Sequence, residues 1–150
     1  IDCVIVKKSK KDYVLVLKDN TRPMRNIEVA FGKSPLGPFE KRSKPLTEYL
    51  SEGPTVVKVG KNWLLYYDNY GSKNYKALST SDFVKFEDVS SKIKLPEGHK
   101  HGTITTISSA VLKGLIEKFR HQQSDKHRQH QESHKNQHVK VHCLSKNDQH

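Results

Sequence analysis

Glu52 is the first candidate for acid–base chemistry, because it lies in the segment Ser51-Glu-Gly-Pro-Thr-Val56. It comes directly before Gly53 and Pro54 and just ahead of a β-rich run, so its carboxylate is expected at the entrance of a strand. A carboxyl group held there beside apolar or aromatic walls can keep its proton and serve as a general acid. The alternative is a solvated glutamate in a turn.

Two further residues can do chemistry, and both lie next to apolar or β-branched runs. Asp2 opens the run Ile1-Asp-Cys-Val-Ile-Val6, again at a strand entrance, where carboxylates are also common as turn residues. His101 stands between the Pro96-Glu-Gly98 loop and a β-branched run. An imidazole at that place can ligate a metal or hold a substrate hydroxyl. The alternative for His101 is an ordinary surface histidine.

The elements that position these side chains are predicted to be antiparallel strands. Short runs rich in Val, Ile, Leu, Tyr and Phe recur between turn signals, as half-buried strands do. Gly60 supplies the positive φ of a tight hairpin turn. One helix is predicted from Ser108 to about Phe119, capped by Ser108 or Ser109. The predicted strands are 3–7, 12–18, 26–32, 55–59, 62–68 and 75–80.

Composition limits the class of protein. The chain has 150 residues, 33% of them hydrophobic, and a formal net charge of +11. That length fits one domain or part of a larger one, and no run of 18 apolar residues occurs to cross a membrane. The charge is spread along the chain instead of forming a dense arm, so no nucleic-acid partner is expected. Cys3 and Cys143 make no disulfide framework and no metal-type spacing.

Composition changes near residue 120. Residues 120–150 carry seven of the nine histidines and no aromatic residue. We therefore divide the chain into a β-rich domain, 1–119, and a His-rich low-complexity tail, 120–150, helical or disordered. Five of these histidines follow one another at spacings of 3, 4, 4 and 4 residues. On a helix they would share one face, which could bind zinc, nickel or copper; the alternative is a solvated tail with adventitious metal affinity. These histidines are His127, His130, His134, His138 and His142.

Taken in order along the chain, the motifs resemble the C-terminal half of glycoside hydrolase family 43. These enzymes are five-bladed β-propellers that cleave arabinofuranosides, xylosides and related plant polysaccharides. The resemblance implies an all-β fold, an incomplete five-bladed propeller with a C-terminal helix and a polar tail. The motifs are Ile1-Asp, Phe31-Gly followed by Ser34-Pro-Leu-Gly-Pro-Phe39, Glu52-Gly-Pro, Trp63-Leu-Leu-Tyr-Tyr-Asp68, Ser79-Thr-Ser-Asp-Phe83 and His101-Gly-Thr-Ile.

The resemblance implies roles for the three candidates. Glu52 looks like the general acid of an inverting glycosidase, and Asp2 looks like the aspartate that orients the acid and tunes its pKa. His101 looks like the histidine near the propeller axis that helps hold a central metal ion or a water; the ion would be calcium. No other cofactor is expected. Inversion places the acid and base carboxyl groups about 6.5–9.5 Å apart, with a water between them.

Other side chains are weighed as substrate contacts. Tyr70 is the freer aromatic residue for stacking on a sugar, because it lies beyond the end of its strand. Arg25 is a candidate for sugar hydroxyls or for the acid, as are Lys18 and Arg22; solvated loop charges are the alternative. In the strand before Tyr70, alternation puts three side chains on one face and predicts core packing for them. These are Trp63, Leu65 and Tyr67.

The sequence departs from the family pattern in two ways that bear on catalysis by the isolated chain. The base aspartate belongs to the family's first blade, and a chain of this length cannot close five blades. We expect the isolated chain to be catalytically incompetent, with carbohydrate as its partner and neither nucleic acid nor membrane. Open sheet edges favour association with a missing N-terminal half or with itself. The aspartates outside the family's base motif are Asp12, Asp19, Asp68, Asp82, Asp88, Asp125 and Asp148.

Two other functions stay open. The first is a non-catalytic glycan-binding or degenerate propeller module, motivated by the missing base. The second is a basic protein that binds metal or polyanions, motivated by the net charge of +11 and by the tail. Steep salt dependence of polyanion affinity would mark that second function. The family resemblance favours a secreted or periplasmic location, which the residues themselves do not fix.

Overall fold

A computed structural model of the chain describes residues 2–21, 23, 25–95 and 98–123. The chain divides into two units, Ile1–Thr105 and Thr106–His150. The first unit holds eight strands and a short 3-10 helix, Ser90–Lys92. The strands are β1 Cys3–Ser9, β2 Asp12–Lys18, β3 Ile27–Gly32, β4 Phe39–Glu40, β5 Ser51–Val59, β6 Asn62–Asn69, β7 Asn74–Thr80 and β8 Glu87–Asp88.

The strands form two four-stranded antiparallel sheets, each with its strands in chain order. One sheet contains β1 to β4 and the other contains β5 to β8. Four-stranded sheets of this kind are the blades of a β-propeller. No closed barrel occurs among the described residues. The prediction of an all-β fold, with propeller blades that form an incomplete propeller, is therefore confirmed.

All six predicted strands are present, and two strands of two residues, β4 and β8, were missed. Two residues are too few to give a hydrophobic pattern. The hairpin at Gly60 is also confirmed, because Val59 pairs with Asn62 and Gly60 has φ +60°. The run Trp63 to Tyr67 alternates as expected: Leu65 and Tyr67 are buried, and Trp63 packs against the same core.

The start of β5 differs from the prediction. Glu52 was expected ahead of the strand, but β5 begins at Ser51 and Glu52 pairs with Asp68 of β6. The register then shifts between Glu52 and Thr55, which marks a bulge. A bulge accommodates Pro54, which has no N–H for a ladder hydrogen bond. Gly-Pro therefore marks an irregularity inside this edge strand and not its beginning.

One hydrophobic core joins the two sheets. Side chains of the first sheet contact side chains of the second within a single buried cluster. Lys8 of β1 adds a contact between the sheets, since its ammonium lies 5.9 Å from the ring centre of Phe83 and donates to the Asp82 carbonyl at 3.2 Å. Burial of this apolar surface holds the sheets together. The core residues are Val6, Val14, Val16, Ile27, Val29, Leu65, Tyr67, Leu78 and Phe83.

The second unit contains a helix, α1, over 109–123 of the described residues. It was predicted from Ser108, and Ser108 is its cap: the Val111 N–H donates to Ser108 Oγ at 3.3 Å. Neither this helix nor the 3-10 helix is long and apolar enough to cross a membrane. The predicted histidine face at 127–142, Cys143 and most of the predicted tail lie outside the described residues. The domain boundary after residue 119 stays a prediction.

Truncation of Leu65 tests the position of the core. Leu65 is fully buried in the cluster, so Leu65→Ala is expected to lower the free energy of unfolding by about 2–5 kcal/mol. Leu36 is 94% exposed, so Leu36→Ala is expected to change the free energy of unfolding by less than about 0.5 kcal/mol. Urea unfolding followed by Trp63 fluorescence measures both variants. Equal losses in the two variants would contradict this core.

Candidate active site

Packing of the two sheets brings Asp2 and Glu52 together. Asp2 directly precedes β1, and Glu52 lies near the start of β5. The backbone N–H of Gly53 donates a hydrogen bond to Asp2 Oδ2 at 3.3 Å. His101 joins the pair, and one ligand atom from each of the three residues lies within 4.8 Å of the others. The three candidates from sequence therefore form one cluster.

Lys18 holds the two carboxylates from the end of β2. Its ammonium lies 2.6 Å from Glu52 Oε2 and 3.9 Å from Asp2 Oδ2. Its side chain is only 10% exposed, and its backbone N–H donates to the Asp2 carbonyl at 2.9 Å. A partly buried carboxylate needs such a partner, since an unpaired charge out of water is costly. Lys18, weighed above as a loop cation, is thus a member of the cluster.

His101 contacts the other oxygen of Glu52. The distance from His101 Nε2 to Glu52 Oε1 is 3.3 Å, so both carboxylate oxygens have a nitrogen neighbour. The loop that carries His101 is tied to β5, because the Ile104 N–H donates to Thr55 Oγ1 at 3.3 Å. The His101 side chain is itself half exposed.

The position after Glu52 requires a glycine, Gly53. Its φ is +58°, a left-handed conformation that residues with a Cβ adopt at a cost. A Cβ built on Gly53 would also lie 2.0 Å from Cδ2 of His101. The imidazole therefore lies over the glycine, in space that any other residue would occupy.

A cavity of about 560 Å³ adjoins the cluster. Tyr70 lies on its wall, and its hydroxyl accepts a hydrogen bond from Arg25 at 3.1 Å. This hydrogen bond, together with nearby negative charge, raises the pKa of Arg25, so its guanidinium remains a cation. Arg22 lies outside the described residues. The lining residues are Glu52, Asp68, Tyr70, Lys73, Gly98, His99, Lys100 and His101.

Asp68 is a lining carboxylate that is not among the site residues predicted from the sequence, because it lies outside the base motif of the resembled family. Its position in β6 contained a signal, because alternation places Asp68 on the face opposite Leu65 and Tyr67. A carboxylate at that position of an otherwise apolar run belongs to the face that lines the cavity.

The donors do not by themselves make a calcium site. Calcium takes about six to eight oxygen ligands, whereas the cluster offers two carboxylates and an imidazole nitrogen. The ammonium of Lys18 already supplies a cation to Glu52 at 2.6 Å. Calcium near His101 stays a prediction that needs ligands beyond these three residues.

Comparison with known protein families matches residues 1–112 to the family described as "probable glycosyl hydrolase domain", which is related to glycoside hydrolase family 43. No curated protein and no solved structure matches the chain. The matched residues include Asp2, Lys18, Glu52, Asp68 and His101, so the whole cluster lies within the family match. The family resemblance seen in the sequence is confirmed.

A pair of glycine variants tests the packing of His101. Gly53 and Gly60 have nearly the same φ, +58° and +60°, so alanine at either is expected to cost about 1–2 kcal/mol of stability. Nothing lies within 4 Å of a Cβ at Gly60. Only Gly53→Ala is therefore expected to move the imidazole away from Glu52. The chemical shifts of the His101 ring report this movement. Equal changes in the two variants would contradict the packing of the imidazole against Gly53.

Proposed function

Because the chain belongs to a glycosyl hydrolase domain family related to glycoside hydrolase family 43, we propose that it is the acid-bearing part of an inverting glycosidase. Glu52 is the general acid, and Asp2 orients it and tunes its acidity. The observation that carries the proposal is the convergence of Asp2, Glu52 and His101 within 4.8 Å. The proposed substrates are arabinofuranosides and xylosides of plant polysaccharides.

The contacts of Glu52 indicate how a substrate can reach its carboxyl group. A general acid must come within hydrogen-bond distance of the glycosidic oxygen to which it gives its proton. In this structure Lys18 lies on Oε2 and His101 on Oε1. Bound substrate therefore shares these oxygens with the two nitrogens or takes the place of one of them. His101 is half exposed and Lys18 is only 10% exposed, so His101 is the partner more readily displaced.

The proposed reaction also needs a base that activates water. None of the described aspartates stands in the family's base motif, so hydrolysis by the isolated chain is not expected. Inversion needs a second carboxylate about 6.5–9.5 Å from the acid, on the opposite face of the sugar. A family-type N-terminal half would supply that carboxylate.

A second candidate function is a non-catalytic glycan-binding module. The observation that favours it is that both oxygens of Glu52 already have nitrogen partners, at 2.6 and 3.3 Å. Such a module would keep sugar affinity and show no turnover when a family-type N-terminal half is added. Carbohydrate is the proposed partner in both cases.

Complementation tests the glycosidase. The chain is mixed with a family-type N-terminal half that carries the base aspartate, and hydrolysis of nitrophenyl arabinofuranoside and xyloside is followed. Glu52→Gln is expected to lower turnover by about 10²–10⁴-fold, because general acid catalysis contributes that much. The loss should be smaller with dinitrophenyl glycosides, whose leaving group needs little protonation. Glu87→Gln is the control, since Glu87 is exposed and its partner among the described residues is the exposed Lys92.

The outcomes separate the two candidates. Turnover that depends on Glu52 and on the leaving group supports the acid role. Association of the two halves and binding of sugar, without turnover, would favour the binding module. Turnover unchanged in Glu52→Gln would remove Glu52 as the acid.

A further inference from the structure

Asp68 lies in a row of polar side chains across the second sheet. It is directly opposite Glu52 on one neighbouring strand and Tyr75 on the other. Residues opposite one another on antiparallel strands point to the same face, with Cβ atoms about 4.5–5.5 Å apart. Two carboxylates are therefore side by side on the face that lines the cavity.

Asp68 is buried and has no compensating partner among the described residues. It is 4% exposed, and it makes neither a side-chain hydrogen bond nor an ion pair within that part of the chain. Glu28 is a useful comparison, because it is buried to the same degree, at 5%, and its carboxylate contacts Arg42. A buried carboxylate is retained at a cost unless something accepts its charge.

The two cross-strand neighbours of Asp68, Glu52 and Tyr75, are engaged elsewhere. Glu52 has Lys18 and His101 on its two oxygens. The Tyr75 hydroxyl donates to the Gly102 carbonyl at 3.3 Å. Burial raises the pKa of Tyr75, and the charge of Asp68 adds to that rise, so the phenol stays neutral. The carboxylate of Asp68 is left as a free acceptor on the cavity wall.

We infer that Asp68 binds the hydroxyl groups of the glycan in this cavity and so acts as a substrate-binding residue. This inference rests on the proposed function. A carboxylate has two oxygens and accepts several hydrogen bonds, which suits the adjacent hydroxyls of one sugar unit. Such bonds are charge-assisted and stronger than those between neutral groups. They would give Asp68 the partner that the protein itself does not provide.

The cavity wall carries charges of both signs. It contains Lys73 and Lys100 as well as Glu52 and Asp68, and Glu52 is already paired with Lys18. The groups that Asp68 recognises are therefore the uncharged hydroxyls of a glycosyl unit. The aromatic ring of Tyr70 on the same wall offers apolar surface to such a unit.

Binding of defined oligosaccharides tests this inference. Arabinotriose and xylotriose are titrated into the full chain and followed by NMR. The wild-type chain is expected to bind these neutral probes. Asp68→Asn keeps the shape of the side chain and is expected to weaken their binding at least ten-fold. Asp12→Asn is the matched control, because Asp12 pairs with Lys8, outside this cavity.

Thermal unfolding adds a readout that needs no ligand. Removal of an uncompensated buried charge is expected to raise the Tm of Asp68→Asn by a few degrees, whereas a structural aspartate would lower it. Neutral oligosaccharide is expected to raise the Tm of the wild type and not that of Asp68→Asn. A lowered Tm, unchanged affinity in Asp68→Asn, or no binding of neutral glycan by the wild type would overturn the inference.

The outcome is distinguishable from that of the glycosidase proposal. Binding that depends on Asp68, together with no turnover on complementation, would leave this inference standing and remove the glycosidase. Turnover that depends on Glu52, with an unchanged KM in Asp68→Asn, would do the reverse.

Discussion

The ion pair between Lys18 and Glu52 is the contact on which the candidate site depends. Lys18 ends β2 in the first sheet, and Glu52 lies in β5 of the second, so the 2.6 Å contact crosses from one sheet to the other. Asp2 joins it at 3.9 Å. Three charged groups meet where the sheets meet, and the low exposure of Lys18 makes their attraction stronger than at a surface. The apolar core between the sheets fixes the distance at which they face one another.

The bulge in β5 positions the other residues of the site beside the Lys18–Glu52 ion pair. A regular strand would continue the ladder from Glu52, but the register shift lets Gly53 and Pro54 leave it. The Gly53 N–H is then free to donate to Asp2, and the absence of a side chain lets His101 lie close. One short motif thus positions an acid candidate, its carboxylate neighbour and an imidazole. The backbone irregularity at the bulge thus brings together the side chains of the candidate site.

Local sequence patterns predicted most of the fold and only part of the site. Alternation and turn residues predicted the six long strands, and the spacing around Gly60 predicted its hairpin, because both depend on neighbours in the chain. The contact of Lys18 with Glu52 could not be distinguished from a solvated lysine at a strand end, since it depends on how two sheets pack. Asp68 was visible as a polar residue on one face, but its burial depends on register with Glu52 and Tyr75.

A double-mutant cycle measures how strongly Lys18 and Glu52 interact across the two sheets. The free energies of unfolding of Lys18→Met, Glu52→Gln and the double variant are measured at neutral pH. A direct contact of partly buried charges predicts a coupling energy of about 1–3 kcal/mol. The exposed pair of Lys92 and Glu87, 3.0 Å apart, is the control and is expected to give less than about 1 kcal/mol. Additivity of the Lys18 and Glu52 changes within about 0.3 kcal/mol would contradict the account.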